Sequence, residues 1–176
     1  MREYKVLGEE FFKSRNTGKI ARQLLGKFLV RKWHNEISAL KIIEVEAYDG
    51  FEDMASHAHR GMTLRNEPMF GPGGYWYVYF TYGIHWMLNV VTGPIAYPAA
   101  VLVRGVEGIS GPARLTKALH IDTSLNAVPI AVESGLWIED RGVRIKKEDI
   151  EVSARIGVDY AGPEWASKPL RFIVQQ

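Results

Sequence analysis

The sequence of 176 residues contains no cysteine, and this absence excludes disulfide bonds and thiolate metal sites. It has no apolar run long enough to cross a membrane, and no hydrophobic segment of a secretory signal follows residues 1–4. Neither sign of charge dominates, because 22 lysines and arginines are set against 20 acidic residues, for a net charge of +2. We therefore expect an intracellular protein without a membrane partner. The charge neither requires nor forbids nucleic acid.

Internal repeats, low-complexity tracts and an evident linker are also absent from the sequence. The length suits one domain, residues 1–176, that can bury a substantial core. A hydrophobic content of 47% and a charged content of 24% are those of an ordinary globular protein. Because helix and strand patterns are mixed along the chain, we predict an α+β fold. It has a curved, mainly antiparallel β-sheet, a few helices and a protruding β-hairpin.

Residue types at segment ends locate the predicted elements. Asn16-Thr17 opens a helix with Thr17 as the candidate N-cap, and Gly26 suits the C′ position beyond its end. Residues 110–112 open a second helix. Its apolar stripe is Leu115, Ala118 and Leu119. The predicted strands cover residues 27–33, 37–48, 75–82, 84–91, 101–103, 128–132, 136–138 and 143–145.

Residues 43–92 combine features that are unusual in a plain core. They contain a carboxylate in a β-forming run, dense aromatic side chains and Tyr82-Gly83 where a hairpin would turn. Because strand side chains alternate between faces, Glu46 and Tyr48 are neighbours on one face. The opposite face carries Ile43, Val45 and Ala47. A pocket for a flat aromatic ligand beside an acid/base group requires these residue types. The alternative is a sheet that packs aromatic side chains on both faces and exposes Glu46.

The strand that follows the loop at 49–74 alternates in the same way. One face carries Tyr75, Tyr77 and Tyr79, and the other carries Trp76, Val78 and Phe80. Asn89 lies among apolar neighbours on the next strand, where a polar amide needs a partner or a ligand. Arg104 ends an apolar strand, so it either pairs with a carboxylate or lies over a site.

Histidines and basic residues give weaker signals. His57 and His59 form a His-x-His pair, but further ligands at useful spacing are missing, so we predict no metal and no cofactor. By residue type alone, His57 is a structural histidine. A DNA-binding protein needs a local basic face. The candidates are Arg60, Arg65, Arg114 and Lys117, and for each one alone the alternative is a solvated surface charge.

Short stretches that match a known protein family occur along nearly the whole chain, in the same order as in that family. Among them are Glu44-Val45-Glu46-Ala47-Tyr48 and Ala55-Ser56-His57. The others are residues 21–22, 24–26, 65–66, 69–70, 77–79, 82–83, 88–89, 103–104, 110–112 and 168–172. With these stretches the sequence resembles the alkyladenine (3-methyladenine) DNA glycosylase family, the single-domain type that differs in fold from helix-hairpin-helix glycosylases.

The resemblance implies a base-excision-repair reaction on double-stranded DNA. A monomeric, monofunctional enzyme would hydrolyse the N-glycosidic bond of a damaged purine (3-methyladenine, 7-methylguanine or hypoxanthine) that is flipped out of the duplex, leaving an abasic site. Glu46 matches the general base, Arg104 the residue that helps to hold the attacking water, and the backbone carbonyl of Ile156 a third water contact. We expect Arg104 to keep Glu46 ionised.

The resemblance also implies how the base and the duplex are held. Tyr48 matches the stacking residue on one side of the flipped base, and His57 and Tyr79 match those on the other. Asn89 matches the residue that rejects guanine by crowding its 2-amino group. Tyr82 matches the wedge that fills the vacated stack, and the remaining expected DNA contact is Met69. Met87 departs from the mammalian members of the family, which leaves the substrate range open.

Two other classes of function fit parts of the sequence. A nucleic-acid-binding module without catalysis also uses aromatic strands and basic loops, but it gains nothing from a carboxylate such as Glu46. A hydrolase of free nucleosides needs no wedge, so the hairpin at Tyr82 distinguishes it from a DNA glycosylase.

Overall fold

Ten strands and four helices are present in the computed structural model, which describes residues 4–175. The helices are α1 (Glu9–Phe12), α2 (Thr17–Leu24), α3 (Pro112–Ala118) and α4 (Gly162–Ser167). The strands are β1 (Lys5–Val6), β2 (Phe28–Trp33), β3 (Glu36–Asp49), β4 (Trp76–Thr81), β5 (His85–Val91), β6 (Ala99–Val106), β7 (Ile109–Ser110), β8 (Leu136–Asp140), β9 (Ile150–Ser153) and β10 (Arg171–Val174). Across residues 4–175, no helix has the length and apolar character needed to span a membrane.

Residues 1–3 and 176 lie outside the described part of the chain. The first and last residues of the predicted domain, 1–176, are therefore outside the described residues. Most of residues 1–4, where we expect no secretory signal, is outside them too.

The long strand β3 joins the two parts of the sheet. Its first half pairs with β2, and its second half lies between β6 on one side and β10 on the other. The strand order is β1-β8-β2-β3-β6-β5-β4, and neighbouring strands are antiparallel. The sheet is curled and carries few helices, which confirms the predicted α+β class.

Alternation along β3 gives the sheet a core face and an opposite face, here called the site face. Val45 and Ala47 are fully buried on the core face, in one cluster with Ile20 of α2. Glu46 and Tyr48 share the site face, as predicted. Ile43 is only partly buried, whereas Ile42, which the alternation puts on the other face, is fully buried in the core cluster. The register of β3 against β6 shifts between residues 42 and 44, and a bulge of this kind changes which residues face the core.

Helix α2 is capped by Asn16 and not by Thr17. The Oδ1 of Asn16 accepts a hydrogen bond of 2.9 Å from the backbone N–H of Lys19. The Thr17 hydroxyl is buried and donates instead to the Asp49 carboxylate at 2.8 Å, because the helix packs against β3. Gly26 follows the helix with φ +82°, which confirms its predicted role as a C′ residue.

The stripe of α3 differs from the prediction at one position. Leu115 and Leu119 are buried, but Ala118 is exposed and Thr116 is buried. The Thr116 hydroxyl can enter the interior because it donates to the carbonyl of Trp86 on β5 at 3.0 Å.

Two short predicted strands are not formed. Residues 128–132 make only isolated bridges to Tyr75 and Leu136, and residues 143–145 pair with no strand. Ile145 packs against the main core, so its apolar character reflects packing without strand pairing. The strand in this region is β9, which pairs with β10.

The hairpin β4–β5 forms where Tyr82-Gly83 predicts it. Tyr82 and Gly83 both have positive φ, +52° and +67°, as tight hairpin turns require. The Ile84 N–H donates to the Thr81 carbonyl at 3.2 Å and closes the turn. Trp76 and Val78 face the core, whereas Tyr77 and Tyr79 face the other way, as the alternation predicts.

Candidate active site

A cavity of about 290 Å³ opens on the site face between β3, β4, β5 and the segment after β9. The residues predicted for the site that line it are Glu46, Tyr48, His57, Met69, Tyr79, Tyr82, Asn89, Arg104 and Ile156. Their neighbours in the wall include Tyr77, Met87 and Tyr160. The structure therefore brings these distant residues together, and their chemical roles stay predictions.

Glu46 is fully buried at the base of this cavity and is held at both carboxylate oxygens. Oε2 accepts a hydrogen bond of 2.9 Å from the Tyr48 hydroxyl. Oε1 accepts one of 2.8 Å from the backbone N–H of Ile156. The Ile156 contact to Glu46 is thus made by its amide, whereas the resemblance implied a role for its carbonyl. A carboxylate with two fixed donors keeps one orientation towards the cavity.

The pKa of Glu46 is raised above its usual value because burial penalises the charged carboxylate. Arg104, the Ile156 amide and the Tyr48 hydroxyl lower the pKa but do not offset burial. Arg104 therefore favours the ionised form, as expected, without reversing the shift. A raised carboxylate pKa is suited to a group that must accept a proton near neutral pH.

Arg104 belongs to a small network of charges beside Glu46. Its Nη1 lies 3.5 Å from the Glu46 carboxylate, while its Nε donates to Glu44 at 3.1 Å. Glu44 also accepts from Arg171 on β10 at 2.7 Å. Gly105 leaves room for this carboxylate, since a Cβ there would lie 3.2 Å from Glu44 Oε2. No role for Glu44 or Arg171 is predicted from the sequence, although the alternation of β3 puts Glu44 on the same face as Glu46.

Aromatic rings form the walls of the cavity. His57 and Tyr79 have ring centroids 4.6 Å apart in an edge arrangement, and Tyr77 lies 5.2 Å from Tyr79. Burial raises the pKa of both tyrosines, so their hydroxyls are neutral. Tyr48 lines the cavity from β3. These faces provide the kind of surfaces on which a flat base stacks.

His57 is a neutral side chain in this site. Its Nδ1 is 3.1 Å from the Tyr77 hydroxyl. His57 as a whole residue is exposed, yet desolvation of its ring, helped by the charge of Arg65, lowers the pKa of His57 to about 4. The neighbouring His59 binds the Ser56 carbonyl instead, at 2.8 Å. Among residues 4–175, no three His, Asp or Glu side chains come together as a metal site would require.

Asn89 is 3% exposed and faces the cavity beside Met87. Its Nδ2 donates to the Tyr77 carbonyl at 3.1 Å, which fixes the amide against β4. The amide therefore has the partner that a buried polar group needs, and it still forms part of the wall.

The mouth of the cavity carries Tyr82 at the hairpin tip, where 83% of its surface is exposed. Arg65 ties the loop at 49–74 to this hairpin: its Nη2 donates to the Phe80 carbonyl at 2.8 Å, and its guanidinium lies 5.1 Å above the Tyr79 ring. Met69 is only 2% exposed, so it can touch DNA only through a base inside the cavity. Arg60, Arg114 and Lys117 are exposed outside the cavity wall.

A buried ion pair behind the site was not foreseen from the sequence. Asp53 and Arg155 bind each other at 2.6 and 2.8 Å with both side chains fully buried. They are 102 residues apart, and no spacing signal connects them. The only hint was that Arg155 immediately precedes Ile156.

The chain is similar to known proteins over nearly its full length. The model of the methylpurine-DNA glycosylase family matches residues 10–110 and 107–176. A relative from Methanocella arvoryzae is 43% identical, with 95% of this chain and 91% of the relative covered. Relatives from Carboxydothermus hydrogenoformans and Anaeromyxobacter are 40% and 41% identical, with 97% and 96% of this chain and 95% and 89% of the relatives covered. All three are named, provisionally, as 3-methyladenine DNA glycosylases. The chain belongs to the methylpurine-DNA glycosylase family.

Proposed function

We propose that this protein is a monofunctional DNA glycosylase that hydrolyses the N-glycosidic bond of an alkylated or deaminated purine flipped out of duplex DNA. The substrates proposed are 3-methyladenine, 7-methylguanine and hypoxanthine. The observation that carries the proposal is the buried carboxylate of Glu46, held at both oxygens at the base of an aromatic cavity. Family membership makes DNA the substrate class.

Glu46 is proposed to act as the general base. It accepts a proton from a water molecule as the oxygen of that water bonds to C1′ of the sugar, while the C1′–N bond breaks and the base leaves with the electron pair. The transition state is oxocarbenium-like, so a negative carboxylate beside the sugar also stabilises it. Within residues 4–175, no lysine lines the cavity, which supports hydrolysis without a Schiff-base intermediate.

The cavity is proposed to take one base and no more. Its volume of about 290 Å³ is at the lower end of small-molecule sites, which begin at about 300 Å³. A duplex cannot enter such a space, so the target nucleotide must leave the stack. Stacking on aromatic side chains such as Tyr48 and Tyr79 contributes about 1–3 kcal/mol per base in comparable sites. Positively charged alkylpurines gain a further cation–π attraction.

The remaining site residues are proposed to select and hold the substrate. Tyr82 at the exposed hairpin tip would occupy the space that the flipped base vacates. Asn89, fixed to the Tyr77 carbonyl, would crowd the 2-amino group of guanine. The exposed cations Arg60, Arg65, Arg114 and Lys117 would contact phosphates.

Both other classes of function are less well supported. A module that only binds nucleic acid has no use for a fully buried carboxylate such as Glu46, because burying a charge costs free energy. A hydrolase of free nucleosides has no use for an apolar ring at an exposed tip such as Tyr82.

The decisive experiment is a glycosylase assay on duplex oligonucleotides that each contain one defined lesion. Base release is followed by separating the free base, and the abasic product is then cleaved with alkali. Release of hypoxanthine or an alkylpurine, with the strand intact before alkali, is the expected result. Binding without release from any lesion would contradict the proposal.

A further inference from the structure

Asp53 and Arg155 form a bidentate ion pair that joins two segments behind the site. The Arg155 Nη1 and Nη2 donate to the two Asp53 oxygens, and Nη1 also donates to the Ala47 carbonyl at 2.9 Å. Asp53 in turn accepts from the backbone N–H groups of Asp49 and Ala55, at 3.1 and 3.0 Å. The guanidinium is therefore fixed in place and orientation.

This guanidinium lies against Tyr48. The Arg155 Cζ is 4.7 Å from the centroid of the Tyr48 ring. Tyr48 lines the cavity, whereas Arg155 contacts its ring without lining the cavity itself. The Tyr48 hydroxyl donates to Glu46 Oε2. A shift of Arg155 would thus move both a wall of the cavity and a donor to the carboxylate.

The second donor to Glu46 depends on the same arginine through the chain. Ile156 directly follows Arg155, and its N–H donates to Glu46 Oε1 at 2.8 Å. Ile156 itself is exposed, so its own side chain does little to anchor this amide. Both oxygens of Glu46 therefore have donors whose positions depend on Arg155.

We propose that Arg155, locked by Asp53, is a positioning residue that sets the Tyr48 wall and the orientation of the Glu46 carboxylate at once. The inference rests on the proposed functions of Glu46 and Tyr48. It goes beyond them because Arg155 touches neither the cavity nor the reacting atoms.

Stability alone is a poor explanation for this pair. Replacing a buried ion pair by well-packed apolar residues is often neutral or stabilising. Among the described residues, the buried Nε of Arg155 has no hydrogen-bond partner, and an unsatisfied buried N–H costs free energy. The pair is therefore better explained by what it positions.

The charge of Arg155 adds an effect on proton affinity. The ionisable groups around Glu46 are Glu44 and Tyr48 on the same strand, Arg104 on β6, Arg171 on β10, Tyr79 on β4, and Arg155 and Tyr160 from the segment after β9. Arg155 lowers the pKa of Glu46, so removing its charge raises that pKa. The acid limb of the pH–rate profile then moves to higher pH.

The test compares three variants in single-turnover excision at saturating enzyme, across pH, with the melting temperature measured for each. Asp53→Asn combined with Arg155→Gln removes both charges without leaving one unpaired. We expect about a 10²-fold loss of rate, the size that follows from a small misplacement of reacting groups, an acid limb at higher pH and unchanged duplex affinity. Arg155→Lys keeps the positive charge but loses the planar guanidinium that binds both Asp53 oxygens. We therefore expect its excision rate to fall and the acid limb of its pH–rate profile to stay at the parent pH.

Arg31→Gln is the matched control. Arg31 is another buried arginine, but it binds the backbone carbonyls of Leu119, His120 and Gly135, away from the cavity. We expect it to lower the melting temperature and keep the parent rate and profile. A double variant that folds and keeps the parent rate and the parent acid limb would overturn the inference. A loss of rate in Arg31→Gln as large as that in the double variant would overturn it too. If the double variant does not fold, a parent-like rate in Arg155→Lys overturns it.

Glu46→Gln in the same assay separates this inference from the proposed function. An active Glu46→Gln enzyme would contradict the proposed function itself. An inactive one, beside a parent-like double variant, would contradict only the role given to Arg155.

Discussion

Arg104 lies 3.5 Å from the Glu46 carboxylate through Nη1, while its Nε is bound to Glu44. The guanidinium is thus shared between two carboxylates of β3, and Glu44 holds it in place beside the proposed base. Burial raises the pKa of Glu46, and Arg104 is the largest of the influences that lower it.

Arg104→Gln should move the acid limb of the excision profile to higher pH. A general base must be ionised, so activity falls as pH falls through the pKa of Glu46, which burial already holds above its usual value. Loss of the nearby cation raises this pKa further. The measurement is the single-turnover rate on a hypoxanthine duplex from acid to neutral pH. Arg171→Gln is the control, because Arg171 binds Glu44 but not Glu46. Equal profiles for Arg104→Gln and the parent would contradict the prediction.

Glu46→Gln should abolish base release and keep duplex binding. The amide fills the same space but cannot take a proton from water, and general-base catalysis contributes about 10²–10⁴ in rate. Excision and DNA affinity are measured side by side. Glu107→Gln serves as the control, since Glu107 is an exposed carboxylate paired with Lys41. Near-parent excision by Glu46→Gln would remove Glu46 from the mechanism.

Asn89→Ser should allow release of undamaged guanine, because it opens the wall that is proposed to exclude the 2-amino group. Guanine release from lesion-free duplex DNA is measured for the variant and the parent. Asn126→Ser is a matched control: Asn126 also holds β4, by accepting from the Val78 N–H at 2.9 Å, but it does not line the cavity. If Asn89→Ser gains no guanine release, Asn89 serves only to bind the Tyr77 carbonyl.

Tyr82→Asn should slow excision of well-paired lesions more than of mispaired ones. The substitution removes the ring and keeps a residue type that tolerates the observed φ of +52°. Tyr82 is 83% exposed, so the melting temperature should change little. The cost of unstacking is lower for a mispaired base.

The assay for Tyr82 compares hypoxanthine opposite thymine and opposite cytosine. Tyr82→Phe, which keeps the ring, should behave like the parent on both duplexes. Parent-like rates for Tyr82→Asn on both duplexes would show that the tip does not act as a wedge.

His57 should stay neutral down to about pH 4 in the folded protein, because its pKa is lowered to that value. An unfolded histidine ionises near pH 6.5. The unfolded state therefore binds more protons between these values, and His57 lowers the stability as pH falls from 6.5 towards 4. NMR titration of the ring gives the pKa directly. A midpoint near 6.5 would contradict the prediction, and Arg65→Gln should raise the midpoint by removing a nearby cation.

Local patterns in the sequence were enough to place several parts of the site. The period of two along β3 put Glu46 beside Tyr48, and the same period separated Tyr77 and Tyr79 from the core residues of β4. Tyr82-Gly83 gave the hairpin turn, because positive φ at both positions is a local requirement.

Errors arose where a tertiary contact overrode a local preference. The sequence predicts Thr17 as the cap of α2, but its hydroxyl donates to the carboxylate of Asp49, 32 residues further along the chain. Strict alternation along β3 does not predict Ile42 as a core residue, but the register of β3 against β6 shifts between residues 42 and 44, and Ile42 is fully buried. The pairing of β3 with β6 and the contact of Thr17 with Asp49 join residues that are far apart in the sequence, so local patterns do not predict them.

The sequence by itself determined the family, the strand period and the identity of the proposed acid/base and stacking residues. Only the tertiary structure decided how the carboxylate is held and what its proton affinity is. Burial, the Ile156 amide 110 residues away and the cations Arg104 and Arg155 together set the pKa of Glu46. These are properties of the dielectric surroundings and of distances in space, which exist only after the sheet has curled and its distant segments have met.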